Sequence, residues 1–199
     1  LDPYRDAIEI ARKAECPLHI THMFRRKTHV RGARPLLDLV DEAHESGMDI
    51  SFDSFPYPGG GSRLVVYFPQ WAQEGGPDGL LEVLKSPESR DRLRREWDPR
   101  GGNWDALWLT YFKTDRNQKY EGWSVEQVAK ERDVSPLDAI FDLLIEEDLQ
   151  LSFHGTFIHS EAISDFQSHP LNMVASDAML VGSHPSTMAY GTYPKVLGD

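Results

Sequence analysis

The chain of 199 residues carries 32 acidic side chains against 21 lysines and arginines, a formal charge of −11, with 40% hydrophobic content. That is enough apolar material for a packed α/β domain, while the acidic balance excludes a nucleic-acid partner, which would need a basic face. No apolar run approaches the roughly 18–20 residues that span a bilayer, so no membrane role is expected. The lone cysteine, Cys16, excludes an internal disulfide and fits a cytoplasmic protein.

Residues 2–14 have amphipathic spacing, with Ile8, Ile10 and Ala11 as apolar points and Pro3 suited to a first turn. The sequence opens inside this pattern without a cap, which reads as a fragment of a longer fold. Cys16-Pro17-Leu18-His19-Ile20-Thr21-His22-Met23 follows, a short apolar run entered from a proline, predicting a buried parallel strand over 17–22. His22 stands at its carboxyl end, where α/β folds bind ligands. There it is a metal ligand, a general base or a packed core residue. His19, three residues earlier, is expected on the other side of the strand, buried against a helix.

Residues 24–34 read as a loop with Arg25, Arg26, Lys27, Arg31 and Arg34, either a solvated cluster or an anion-recognising lip. Residues 35–46 predict a helix with Leu36, Leu37, Val40 and Ala43 on one face and Gly47 as its stop, and 48–55 the next strand. This alternation implies right-handed crossovers and a parallel sheet. Pro56-Tyr57-Pro58-Gly59-Gly60-Gly61-Ser62 then reads as an irregular substrate-facing loop; no Gly-Lys-Ser/Thr follows, so it is not a P-loop.

Helices are expected over 80–85 and 87–97, a turn over 99–103, a strand over 106–112 and a loop over 114–122. Ser124 with Gln127 forms a capping box for a helix to 132, and Ser135 caps a helix to 147 with Ala139, Ile140, Leu143 and Leu144 inward. A strand over 149–155, a helix over 160–167 and a last strand over 172–176 complete the pattern. A single α/β unit with a helical insertion at roughly 77–135 accommodates all of it. Asp177 closes the last strand, as an N-cap or as a site residue matching His22 in topological position. His29, His44 and His169 read as loop or surface residues, and His154 as a packed strand residue.

Five runs share order and rough spacing with a known family: His19-Ile20-Thr21-His22, Asp53-Ser54-Phe55-Pro56-Tyr57, Trp71-Ala72-Gln73-Glu74-Gly75-Gly76, Ser176-Asp177-Ala178, and Tyr190-Gly191-Thr192-Tyr193-Pro194-Lys195-Val196-Leu197-Gly198. Together they resemble the D-aminoacylase (N-acyl-D-amino-acid deacylase) branch of the amidohydrolase superfamily. The resemblance implies the C-terminal part of a metal-dependent (β/α)₈ TIM-type barrel, its first strands outside this chain. It implies one or two zinc ions with most ligands upstream, His22 as the metal-binding histidine of the sixth strand, and Asp177 as the eighth-strand metal contact and proton shuttle. A metal-activated water would then hydrolyse an N-acyl amino acid or related small amide.

Tyr57, Ser62, Arg63, His159, His184 and Tyr190 are the candidate substrate-binding residues. Phe24 stands where the family commonly has lysine. Ser186 or Met188 stands where a carboxylate-gripping arginine is expected. Either the arginine loop or Arg63 substitutes, or the substrate is not a free N-acyl amino acid. The alternative is a catalytically inactive barrel serving as a binding module. Expected partners are the N-terminal remainder of the barrel, in the same or another chain, or a second copy in a homo-oligomer; the fragment alone is expected to be inactive.

Overall fold

The computed structural model describes residues 2–26, 32–97 and 103–198. Lys27, His29 and Arg31 of the basic loop, and nearly all of the turn expected at 99–103, lie outside the described residues.

In chain order, helix α1 (Asp2–Ala14) precedes the short strand β1 (Leu18–Ile20). Helix α2 (Arg34–Glu45) has proline in its first turn and buries the expected Leu36, Leu37, Val40 and Ala43. Gly47, at φ 89°, turns the chain out of α2 into β2 (Ile50–Ser54), a left-handed exit that only glycine adopts without cost. Strand β3 (Gly59–Arg63) leads into α3 (Gln70–Gln73), α4 (Gly76–Lys85), α5 (Pro87–Glu96) and β4 (Leu107–Phe112). Then come α6 (Val125–Arg132), α7 (Pro136–Glu146), β5 (Leu151–Thr156), α8 (Ile163–Gln167), β6 (Asn172–Val174) and α9 (Met188–Gly198). Among the described residues no helix is long and apolar enough to cross a membrane.

The described strands form two three-stranded sheets, β1-β2-β6 and β3-β5-β4. In the first all pairings are parallel, Leu18 opposite Ile50 and Phe52 opposite Asn172, as the helix–strand alternation predicts. In the second, β4 and β5 are antiparallel. The chain forms two compact units. One holds the segments up to Gly60, Phe157–Ala178 and from Thr187; the other holds Gly61–Thr156 and Met179–Ser186. The stretch expected as an insertion, 77–135, falls within the second.

In the first unit one face of the parallel sheet is apolar. Ile50 and Phe52 are buried with Ile8 of α1, Leu36, Leu37 and Val40 of α2, and Phe166 of α8. Alternation puts their neighbours on the other face. There His19, Ser51 and Asp53 form a polar row, and Met173 is exposed. His19 is therefore not buried against a helix. Leu18 and Ile20 take the helix-facing positions, leaving His19 the opposite face. His169, expected at the surface, packs its ring on Phe52 at 5.4 Å and reaches Asp41 at 3.0 Å.

The second unit has its own core. Phe68 stacks on Trp97 with ring centres 4.1 Å apart, and both pack with Phe141, Leu84, Leu93, Leu109 and Phe153. Burying each large side chain contributes about 1.5–3 kcal/mol. The expected caps are in place: Ser124 and Gln127 exchange both capping-box bonds, and Ser135 accepts from the Asp138 amide. Buried Glu147 is satisfied by the Thr114 amide at 2.7 Å and by Asn117.

One further expectation is corrected. The glycine run is not irregular: Gly59–Arg63 is strand β3, beside β5 in its sheet. Ladder bonds use only backbone, and a Cβ at Gly61 would lie 3.1 Å from the Phe153 carbonyl oxygen, so close approach of two backbones calls for glycine there. The stretch after Thr187 is helix α9, with Pro194 inside it. Thr192 Oγ1 donates to the Met188 carbonyl at 2.8 Å within this helix.

Candidate functional site

The site is built where the three parallel strands end. His22 lies two residues beyond β1, and Asp177 three residues beyond β6. These strands flank β2 and are thus about 9–10 Å apart. Their side chains can meet only by leaning inward over β2. Both residues leave the extended conformation to do so: His22 has φ 60° and Asp177 φ 43°. Non-glycine residues rarely enter this left-handed region, and such backbone strain concentrates at functional sites. The result is a His22 Nε2 to Asp177 Oδ1 distance of 3.5 Å.

β2 itself supplies Asp53, nine-tenths buried between them. Its Oδ1 accepts the His22 backbone N–H at 2.8 Å, and its Oδ2 faces His19 Nε2 at 3.0 Å. Burial pushes the Asp177 carboxyl above its ordinary value; the His22 charge opposes this and the Asp53 charge adds to it. Asp177 Oδ2 turns the other way, toward Gly60, where a Cβ would lie 3.8 Å from it.

Beside this polar pair is an apolar wall. Phe55 stands edge-on to the His22 ring with centres 6.4 Å apart, and Phe24 bridges Phe55 at 5.7 Å and Phe157 at 5.9 Å. Tyr57, Ile158, Met188 and Ala178 complete the cluster. Tyr57 crosses over α9 at Gly191, where a Cβ would overlap its hydroxyl.

Of the expected site residues, His22 and Asp177 are brought together, with Tyr57 in the apolar cluster of the same unit. His159, in that unit, is buried and lies 3.4 Å from Glu161, its amide donating to the Arg25 carbonyl. Tyr190 is on α9 and largely exposed. The other three belong to the second unit. Ser62 and Arg63 end β3, and Arg63 lines a cavity of about 500 Å³ with Asp78, Asp148 and Gln150. His184 lies over Gly122, 3.0 Å from the Ser183 hydroxyl. Asp53 carried no role in the sequence reading. Its signal was its place in an Asp-Ser-Phe strand end beside the His22 strand, visible only once the strands are paired.

Imidazole and carboxylate are a donor set that suits zinc. His22 and Asp177 fit two positions of such a site, while among the described residues no group of three or more His, Cys, Asp or Glu side chains could hold a metal ion.

The fold is similar to part of the chains of known deacylases. Three solved structures carry the likeness: N-acyl-D-glutamate deacylase from Bordetella bronchiseptica, complexed with zinc and a phosphonate mimic of the tetrahedral intermediate (18% identity, TM-score 0.70); D-aminoacylase described with a binuclear metal centre (21%, 0.65); and the D-aminoacylase that defines a subset of amidohydrolases (20%, 0.63). Each alignment covers 98% of this chain and 33% of the other, so the chain spans about a third of the length of the structures it matches. These are the proteins the five sequence runs resemble. No family model and no curated protein matches the sequence.

Proposed function

We propose that this chain is the sixth-to-eighth-strand portion of a zinc-dependent amidohydrolase barrel, cleaving the amide bond of an N-acyl amino acid or a related small amide. The observation that carries this reading is the 3.5 Å approach of His22 and Asp177 from strands on either side of β2. The solved deacylases whose fold it shares, crystallised with zinc or described with a binuclear metal centre, support the chemistry. In this reading β1, β2 and β6 are barrel strands, and the helix-rich stretch between β2 and β6 holds the insertion. The remaining strands and metal ligands come from the rest of the barrel, in the same or another chain.

His22 and Asp177 would hold the metal. When bound, zinc supplies an acidified water and polarises the amide carbonyl. Asp177 takes the proton of the attacking water at Oδ2, the oxygen turned away from His22, and passes it to the leaving nitrogen. The Phe24–Phe55–Phe157 wall excludes water and favours an uncharged group beside the reacting amide. That agrees with phenylalanine standing where a lysine was expected.

The test is hydrolysis of a panel of N-acyl amino acids and neutral small amides by the intact protein, wild type beside Asp177→Asn. We expect amine release that falls about 10²–10⁴-fold in the variant, the share a positioned proton-transfer group contributes. Equal rates in the two proteins would contradict the role of Asp177. No hydrolysis of any panel member would favour a binding barrel without catalysis.

A further inference from the structure

We propose that Asp53 is a positioning residue for His22, holding its backbone in the left-handed conformation that aims the imidazole at Asp177. This rests on the reading of His22 and Asp177 as the metal-facing pair.

Asp53 grips two consecutive residues after β1. Its carboxylate Oδ1 accepts the His22 amide at 2.8 Å, and its own carbonyl accepts the Met23 amide at 2.8 Å. A charge-assisted bond to an amide is stronger and more directional than a neutral one. A histidine at φ 60° relaxes toward commoner conformations unless something over-determines it. These two bonds, one residue apart, do that.

Asp53 is itself held in place. Its Oδ2 faces His19 Nε2 at 3.0 Å, and His19 Nδ1 meets Ser51 Oγ at 2.8 Å. A carboxylate only accepts, so His19 Nε2 is the donor to Oδ2, and the Ser51 hydroxyl pairs with the other ring nitrogen. Ser51, His19 and Asp53 thus form a row across two strands that ends on the His22 backbone. With Oδ1 taken by the amide and Oδ2 by His19, Asp53 acts through His22 rather than as a ligand.

The test is zinc affinity, by chelator competition on the intact, metal-stripped protein, in wild type, Asp53→Ala, Asp53→Asn, His22→Ala and the Asp53→Ala/His22→Ala double variant. Asp53→Ala is expected to weaken zinc about 10–100-fold, the usual cost of losing an outer-sphere partner. Asp53→Asn keeps an Oδ1 acceptor and is expected to restore most of the affinity. Adding Asp53→Ala to His22→Ala should cost little more. Equal weakening in both backgrounds would overturn the positioning role while leaving the metal site standing. No effect of His22→Ala would overturn the metal-site reading and this inference with it. Hydrogen exchange in the wild type needs no variant: the His22 amide should be protected, and exchange at the rate of an open loop would overturn the proposal even where Asp53→Ala fails to fold.

Discussion

His22 and Asp177 leave two strands separated by a third and face each other at 3.5 Å, each in a left-handed backbone conformation. Two such exits from one sheet converge on one point and bring an imidazole and a carboxylate over the end of β2.

The clearance around Asp177 gives a first prediction. A Cβ at Gly60 would meet Phe157, Asp177 Oδ2 and Met188 at 3.7–3.9 Å, ordinary van der Waals contact. Gly60→Ala should therefore fold with zinc affinity close to wild type. Gly60→Val adds two methyls against the carboxylate and should weaken zinc while the protein stays folded, read by chelator competition beside circular dichroism.

The next glycine behaves differently. At Gly61 the Cβ would press on the Phe153 carbonyl at 3.1 Å, backbone against backbone in a packed sheet. Gly61→Ala should destabilise by about 1–3 kcal/mol, the usual cost of overpacking, seen as a lower denaturation midpoint. A midpoint equal to that of Gly60→Ala would contradict the close pairing of β3 with β5.

The fold and the site were legible in the sequence to different degrees. The caps at Ser124 and Ser135, the α2 face and the parallel alternation are local signals, written within a few residues, and the structure carries them. His22 and Asp177 were legible as strand ends. What was not legible depends on partners distant in sequence. β3 is a strand because β5 lies alongside it, although its glycines and the flanking prolines resemble a loop. α9 contains Gly191 and Pro194, both helix-breaking signals. Asp53 acquires its role only through pairing of β2 with β1. Counting back three residues from His22 puts His19 on the helix side, but the strand ends at Ile20 and the chain turns before His22, so His19 falls on the opposite face.

A third prediction concerns acid stability in the second unit. Burial pushes the Glu146 carboxyl up, but hydrogen bonds from Arg132 and Asn117 and the Arg132 charge outweigh it, holding the group below its ordinary value. The pair is bidentate, both guanidinium contacts being 3.1 Å. A depressed carboxyl stabilises the fold above the unfolded-state value of about 4.3, and that contribution is lost as pH falls through the folded value. The stability difference between wild type and Arg132→Gln, measured by urea denaturation, should therefore shrink between about pH 6 and about pH 3. A constant difference would mean that Arg132 acts through packing on Tyr120 instead.

A fourth prediction concerns the core of that unit. Phe141 is fully buried against Phe68 and Trp97. Phe141→Ala should cost about 3–5 kcal/mol in unfolding free energy. A loss below about 1 kcal/mol would contradict this packing.

The most direct test of the central claim is the metal content of the intact protein, purified without chelator, in wild type beside His22→Ala and Asp177→Ala. The account predicts about one or two zinc ions per chain in the wild type and less in both variants, since each removes a donor. Metal-free protein, with wild type and both variants alike, would contradict the hydrolase and leave His22 and Asp177 as a strained pair without a metal.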